Sequence, residues 1–212
     1  MRKPPIKVLC VDDHGIVRDG LLSLFSKHSD IKVVAMAASG EEAVTLFRAH
    51  QPDITLMDLQ LPEMSGLDAI RAILREFPSA RIVVLTMYEG EEDIFRALEA
   101  GAVTYLLKDT LGEDLLRVIR AVHDGERPIH PHVQARLDGR TGPSLSPREQ
   151  QVIELISLGM RNKEIATALG IREETAQVYV KKLFAKLKVH DRTAALAVAL
   201  QRGILHLHPR KR

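Results

Sequence analysis

The residues best suited to chemistry stand at the ends of four short apolar runs. Val8-Leu9-Cys10-Val11 leads into Asp12-Asp13, and Ile54-Thr55-Leu56-Met57 leads into Asp58. Ile82-Val83-Val84-Leu85 leads into Thr86, and Val103-Thr104-Tyr105-Leu106-Leu107 leads into Lys108. Apolar runs of this length are expected to be buried strands. In α/β architectures, ligands gather at the carboxyl edge of such strands. Parallel neighbours would therefore bring three carboxylates, a hydroxyl and an ammonium together at one edge. The hard oxygens of Asp12, Asp13 and Asp58 suit Mg²⁺ with retained waters. A carboxylate beside that ion can attack phosphorus and form an acyl phosphate. Asp58 is the expected nucleophile, because it is a lone acid at the end of a central strand. Lys108 offers a point charge to phosphoryl oxygens, and Thr86 offers a hydroxyl. Such transfer rests on positioning and charge neutralisation. Any one of these residues alone reads as a solvated loop group; the four strand ends together carry the inference.

The elements that must position these groups are legible in the periodicity. Strands are expected over 6–11, 31–37, 53–57, 81–85 and 103–107. Helices are expected over 16–25, after Ser39, over 67–77, 91–99 and 111–123. Ser39 with Glu42 has the spacing of a capping box. The loop Leu59-Gln60-Leu61-Pro62-Glu63-Met64-Ser65-Gly66 has Pro and Gly where a tight path is needed. Five strands alternating with five helices imply a parallel sheet covered on both faces. Residues 124–144 hold three prolines and three glycines, and are expected to be a linker with a short helix near His132 to Leu137. From 145 onward no strand pattern appears. Ser146-Pro147-Arg148-Glu149 has an N-cap, a first-turn proline and a capping-box glutamate. Helices are expected at 147–158, 163–168, 173–187 and 191–202.

Charge divides the same way. Residues 1–123 carry 14 Lys+Arg against 19 Asp+Glu, whereas residues 124–212 carry 16 against 9. A basic half beside an acidic one points to a polyanionic partner. The one cysteine, Cys10, lies in an apolar run and is expected to be a small core residue. No stretch approaches the roughly 18 apolar residues of a membrane span, and no secretory signal pattern is present. A soluble cytoplasmic protein is expected. His14 follows the paired acids and is expected to be a loop residue rather than a ligand. His130, His132, His206 and His208 lack partners at a metal-binding spacing.

In the basic half, a short helix and turn at Asn162–Ile171 precede a longer helix over 173–187. On the longer helix Ala176, Val180, Leu183, Phe184 and Leu187 form one apolar face. Gln177, Val178, Lys181, Lys182 and Ala185 form the opposite face. Small side chains allow close approach, and lysines meet phosphates and base edges. A major groove admits such a helix, and in a helix-turn-helix the second helix lies there. A solvated lysine face is the blander alternative.

Val11-Asp12-Asp13-His14, the segment Met57 to Gly66, Leu85-Thr86 and Leu107-Lys108-Asp109 resemble the signature of bacterial receiver domains. The segments Leu145–Glu149, Asn162–Ala166, Leu183–Leu187 and Arg192-Thr193 resemble LuxR-type helix-turn-helix domains. Together the chain resembles a NarL/FixJ-type two-component response regulator. That resemblance implies a flavodoxin-like five-stranded receiver over 1–123, a linker over 124–143, and a small all-α four-helix domain over 144–212. It implies phosphorylation of Asp58 by a sensor histidine kinase, with control of promoter DNA binding rather than dedicated enzymatic turnover. It also implies Mg²⁺ on Asp12, Asp13, Asp58 and the Gln60 carbonyl, and a switch through Thr86, Tyr105 and Lys108. Gln177, Val178 and Lys181 would face bases, whereas Lys163, Thr175, Lys182 and Lys186 would hold phosphates. A homodimer is implied on phosphorylation, through helix 191–202 unless that helix is only core, and RNA polymerase is a candidate partner. Two departures stand out. Asp109 replaces the proline that often follows the lysine, leaving that peptide's geometry open. Ala176-Gln177-Val178-Tyr179 replaces the usual Val-Lys-x-His, so a different half-site is expected. Two rival readings are an aspartate-based phosphatase and a phospho-switch whose second domain only dimerises.

Overall fold

The computed structural model describes residues 4–87, 90–110, 112–129, 131–138 and 144–205, leaving out the side chains of His132 and Arg136. Two compact units form: the sheet and most of the residues of its helices fall in one, and residues 90–93 with the helices from 147 onward fall in the other.

In the first unit the strands are β1 (Ile6–Val11), β2 (Ile31–Ala37), β3 (Ile54–Met57), β4 (Ile82–Thr86) and β5 (Thr104–Leu107). They pair in parallel in the order β2-β1-β3-β4-β5. This is the flavodoxin-like order, whose reversal between β1 and β3 opens a crevice at their carboxyl ends. The covering helices are α1 (Gly15–Ser26), α2 (Gly40–His50), α3 (Gly66–Glu76), α4 (Glu91–Glu99) and α5 (Glu113–His123). An expected start of α5 at Leu111 falls outside the described residues. Val8, Cys10, Ile54, Leu56, Val83, Leu85 and Leu106 pack one core with Phe25, Leu115 and Ile119. Their alternates Leu9, Val11, Met57, Ile82 and Val84 are equally buried, because successive strand side chains point to opposite faces. Burial of both faces explains why these strands read as continuous apolar runs. Ser39 accepts from the Glu42 amide at 3.2 Å, but Glu42 reaches the Ala38 amide, at 2.7 Å, rather than that of Ser39. A helix α6 (Pro131–Asp138) lies in the expected linker.

The second unit contains α7 (Pro147–Ser157), α8 (Asn162–Leu169), α9 (Glu173–Leu187) and α10 (Arg192–Gln201). Its core joins Val152, Ile153, Ile165, Ala176, Leu183 and Ala195. Both bonds of the capping box form at α7: the Glu149 amide donates to Ser146 Oγ at 3.3 Å, and Glu149 Oε2 accepts from the Ser146 amide at 2.8 Å. The same Oε2 takes a bond from Lys186 Nζ at 2.6 Å, tying α9 to the start of α7. Burial alone would raise the Glu149 pKa, but Lys186 and Ser146 outweigh it and hold it below its ordinary value.

Gly66 opens α3 directly under β3. A Cβ there would come 2.0 Å from the Asp58 carbonyl oxygen and 2.7 Å from Leu59 Cα, both backbone atoms. Gly66→Ala is therefore expected to destabilise the first unit by about 1–3 kcal/mol, the usual cost of overpacking. An unchanged urea midpoint would show that the loop yields freely. For Glu149, a lowered folded-state pKa gives stability that is present above the unfolded value of 4.5 and lost as pH falls through the folded value. Glu149→Gln should therefore cost stability at neutral pH, and its deficit against the parent should shrink on acidification. Parallel pH–stability curves of parent and variant, in chemical denaturation of the whole chain, would contradict this linkage.

Candidate functional site

The ladder itself delivers the acids to one edge. The Asp12 amide donates to the Ala37 carbonyl at 3.0 Å, and the Asp58 amide donates to the Val11 carbonyl at 3.0 Å. Each aspartate thus leaves its strand held by a neighbouring strand. Asp12 and Asp58 are only 2 % and 3 % exposed, and Lys108 is 8 % exposed. Lys108 Nζ lies 2.6 Å from Asp12 Oδ2 and 2.7 Å from Asp58 Oδ2. One ammonium therefore bridges two buried carboxylates, from a 3₁₀ turn over Lys108–Thr110 that directly follows β5. No peptide is cis among the described residues, so the Lys108–Asp109 bond, left open by the sequence, is trans.

Burial, the largest influence, raises the Asp58 carboxyl above its ordinary value; Lys108 pulls against it and the Asp12 charge adds to the rise. Burial pulls Lys108 down, but Asp12 and Asp58 outweigh this and hold its ammonium above the usual value. Thr86 is fully buried, and its Oγ1 makes no hydrogen bond of good geometry. That hydroxyl exerts only a minor stabilising pull on the Asp58 charge. Tyr105 is fully buried on β5. The Gln60 amide donates to Asp58 Oδ1 at 3.4 Å, which fixes the start of the following loop. Cys10 lies beneath this edge with its thiol pushed up to about 12 by burial and the Asp12 charge, so it is an inert core residue.

Asp12, Asp13, His14 and Asp58 each offer a ligand atom, and those atoms lie within 4.8 Å of one another. Asp13 Oδ1 is buried without a hydrogen-bond partner. Three carboxylates, one of them with an unsatisfied oxygen, fit a hard divalent cation. His14, expected to be a loop residue rather than a ligand, and Arg18, which the sequence reading did not single out, both reach this acidic turn. His14 Nδ1 reaches 2.6 Å from Asp13 Oδ1 and 3.4 Å from Asp12 Oδ1. Arg18 Nη1 donates to the Asp12 carbonyl at 2.5 Å, pinning the acidic turn to α1. The recurrence of His and Arg two and six residues after the first acid was visible, but nothing in the spacing aimed them at it.

In the second unit, α8 ends at Gly170, whose φ of +62 favours glycine. Arg148 Nη2 donates to the Leu169 carbonyl at 2.8 Å, closing the turn. Arg192 donates to the Met160 carbonyl and to Asn162 Oδ1, both at 2.6 Å, fixing the entry to α8. Lys163, Thr175, Gln177, Val178, Lys181 and Lys182 are all exposed. Gln177, Lys181, Ala185 and Lys188 border a groove along α9. Lys186 differs: its ammonium is engaged by Glu149 and by the Ser144 carbonyl at 3.2 Å. In α10, Ala195 and Ala199 are buried in the core, while Leu200 is 38 % exposed.

The response regulator receiver domain model matches residues 8–120, and the model of bacterial regulatory proteins of the luxR family matches residues 143–199. The transcriptional regulatory protein YhcZ of Bacillus subtilis is 42% identical over 206 residues, 92% of this chain and 96% of that protein. The response regulator protein VraR of Staphylococcus aureus is 36% identical, over 94% of this chain and 99% of that protein. Among solved structures, the response regulator ChrA of a heme-sensing two-component system is similar at 33% identity and TM-score 0.57, over 96% of this chain and all of that one. RcsB of Salmonella enterica serovar Typhimurium, bound to the promoter rprA with the phosphomimetic BeF3-, is similar at 25% identity and TM-score 0.63, over 92% of this chain and 98% of that one. The acid-lined sheet edge, the helix-turn-helix and these likenesses together place the chain in one family: it belongs to the two-component response regulators of the NarL/FixJ type, a receiver domain joined to a LuxR-type helix-turn-helix domain.

Proposed function

We propose that Asp58 accepts a phosphoryl group from a sensor histidine kinase, and that the acquired charge controls binding of α9 to promoter DNA. The observation that carries this reading is the Lys108 ammonium shared between Asp12 and Asp58, beside an unpartnered Thr86 hydroxyl. The domain limits we assign are 1–123 for the receiver, 124–143 for the linker and 144–212 for the DNA-binding domain.

Asp12, Asp13, Asp58 and the Gln60 carbonyl would hold Mg²⁺, which supplies charge neutralisation to the phosphoryl oxygens. An Asp58 oxygen attacks phosphorus, the phosphorus–nitrogen bond of the phosphohistidine breaks, and an aspartyl phosphate remains. Lys108 opposes the rise that burial imposes on the Asp58 carboxyl, and then faces the phosphoryl group. The phosphoryl group carries close to two negative charges where the carboxylate carried one, and Lys108 and the Thr86 hydroxyl meet them. Thr86 is free to turn toward it because no other partner holds its Oγ1. Movement of Thr86 and Tyr105 passes the event on, a local electrostatic change with a distant readout. On DNA, Gln177, Val178 and Lys181 face base edges, and Lys163, Thr175 and Lys182 hold phosphates. Lys186 has Glu149 to satisfy first, so its phosphate contact is the weaker assignment. The phosphorylated protein acts as a homodimer in the cytoplasm, with RNA polymerase as a further partner, and as a switch rather than a dedicated enzyme.

Asp58→Asn is expected to reduce labelling by acetyl phosphate with Mg²⁺ to background, read by intact-protein mass. Undiminished labelling would move the acceptor to another residue. On DNA, Lys182→Ala should weaken all sequences alike and lower the salt slope by about one, whereas Gln177→Ala should cost about 1–3 kcal/mol on the preferred site alone. Fluorescence anisotropy across a salt series separates the two. Full affinity and full sequence preference in both variants would remove α9 from the groove.

A further inference from the structure

The geometry points to His14 as a fourth side-chain ligand of the acidic pocket, one that adapts it to first-row transition-metal dications as well as to Mg²⁺. This rests on the reading that Asp12, Asp13 and Asp58 hold a divalent cation. His14 is the N-cap of α1, yet its side chain makes no capping bond. Its backbone is held instead: the amide donates to Asp12 Oδ1 at 3.0 Å, and the carbonyl accepts from the Val17 and Arg18 amides at 3.1 and 3.3 Å. The ring is thus tethered on a fixed backbone while remaining 66% exposed.

Nδ1 approaches Asp13 Oδ1 to 2.6 Å, yet that oxygen, buried, has no hydrogen bond of acceptable geometry. Two ligand atoms therefore converge on the acidic turn, close enough for one cation beside them to take both as adjacent ligands. A second polar atom points the same way: Thr86 Oγ1, fully buried and unpartnered, borders the same pocket beside Asp58. Carboxylates alone make an oxygen site, which suits Mg²⁺. Adding one imidazole makes a mixed oxygen–nitrogen site, and imidazole is a preferred donor for Fe²⁺, Co²⁺, Ni²⁺ and Zn²⁺. Mg²⁺ gains little from imidazole nitrogen, so His14 contributes to one class of ion and scarcely to the other.

The test is titration of the whole chain with MgCl₂ and with CoCl₂ by calorimetry and visible absorption, counting only Co²⁺ that excess Mg²⁺ displaces. His14→Gln should leave Mg²⁺ affinity within about twofold and lower Co²⁺ affinity about tenfold or more. The Co²⁺ absorption should move to longer wavelength as oxygen replaces nitrogen. Equal Co²⁺ affinity in variant and parent overturns the inference, as do equal losses for both ions, which would make His14 a support for Asp13 instead. Asp13→Asn should weaken both ions. If it weakens neither, the carboxylate pocket itself fails as a metal site, an outcome distinct from failure of His14 alone.

Discussion

Two buried carboxylates and one buried ammonium set the terms for the receiver unit. Asp12 and Asp58 are almost out of solvent, and each lies within 2.7 Å of the same Lys108 nitrogen. Taking any of these charges out of water is costly, and removing one partner of such a set leaves an uncompensated charge. The trio therefore holds together only while β1, β3 and β5 are in register at their carboxyl ends. It carries one net negative charge, and the nearby Asp13 adds another. A pocket with surplus negative charge has the donor set that suits a hard divalent cation.

Much of this was legible in the sequence, for a simple reason. Strands buried on both faces must be apolar throughout, so the first charged residue marks where the sheet ends. Asp12, Asp58, Thr86 and Lys108 were readable as strand ends and therefore as neighbours. The start of α7 was readable because its cap is local: Ser146 and Glu149 close their box within four residues. Contacts that span the chain were not readable. Glu149 with Lys186, Arg192 with Met160 and Arg148 with Leu169 join residues far apart in sequence, and no periodicity encodes them. Lys186 shows the consequence. As one lysine among several it reads as a phosphate contact, but a buried glutamate holds it. The register shift between β1 and β2, where Val8 faces Val33 but Leu9 faces Ala35, was invisible for the same reason.

His14 illustrates a different limit. Spacing identifies helical faces and strand ends, but the residue after a strand takes a direction set by the turn. Here the Asp12 side chain accepts from the His14 amide, and that bond folds the imidazole back over the acids. The same device recurs at Asp58, which accepts from the Gln60 amide. Aspartate side chains bond readily to amides two residues on, so each acid shapes the loop that surrounds it. The placement of these carboxylates is thus partly a property of the carboxylates themselves.

The second unit follows another logic, in which exposure rather than burial marks function. On α9, Ala176, Val180, Leu183 and Leu187 are buried, and this fixes the rotation of the helix. The rotation leaves Gln177, Val178, Lys181 and Lys182 in solvent with no structural duty. Val178 is 51% exposed, which burial energetics alone would not select. A small apolar side chain between a glutamine and lysines suits a surface that meets the base edges and methyl groups of a groove. The lysine lost from the family's usual position leaves Gln177 as the polar group nearest the start of that face. Glutamine pairs with adenine where lysine pairs with guanine, so on the proposed reading Gln177 would shift the base preference while the helix keeps the same hold on its core.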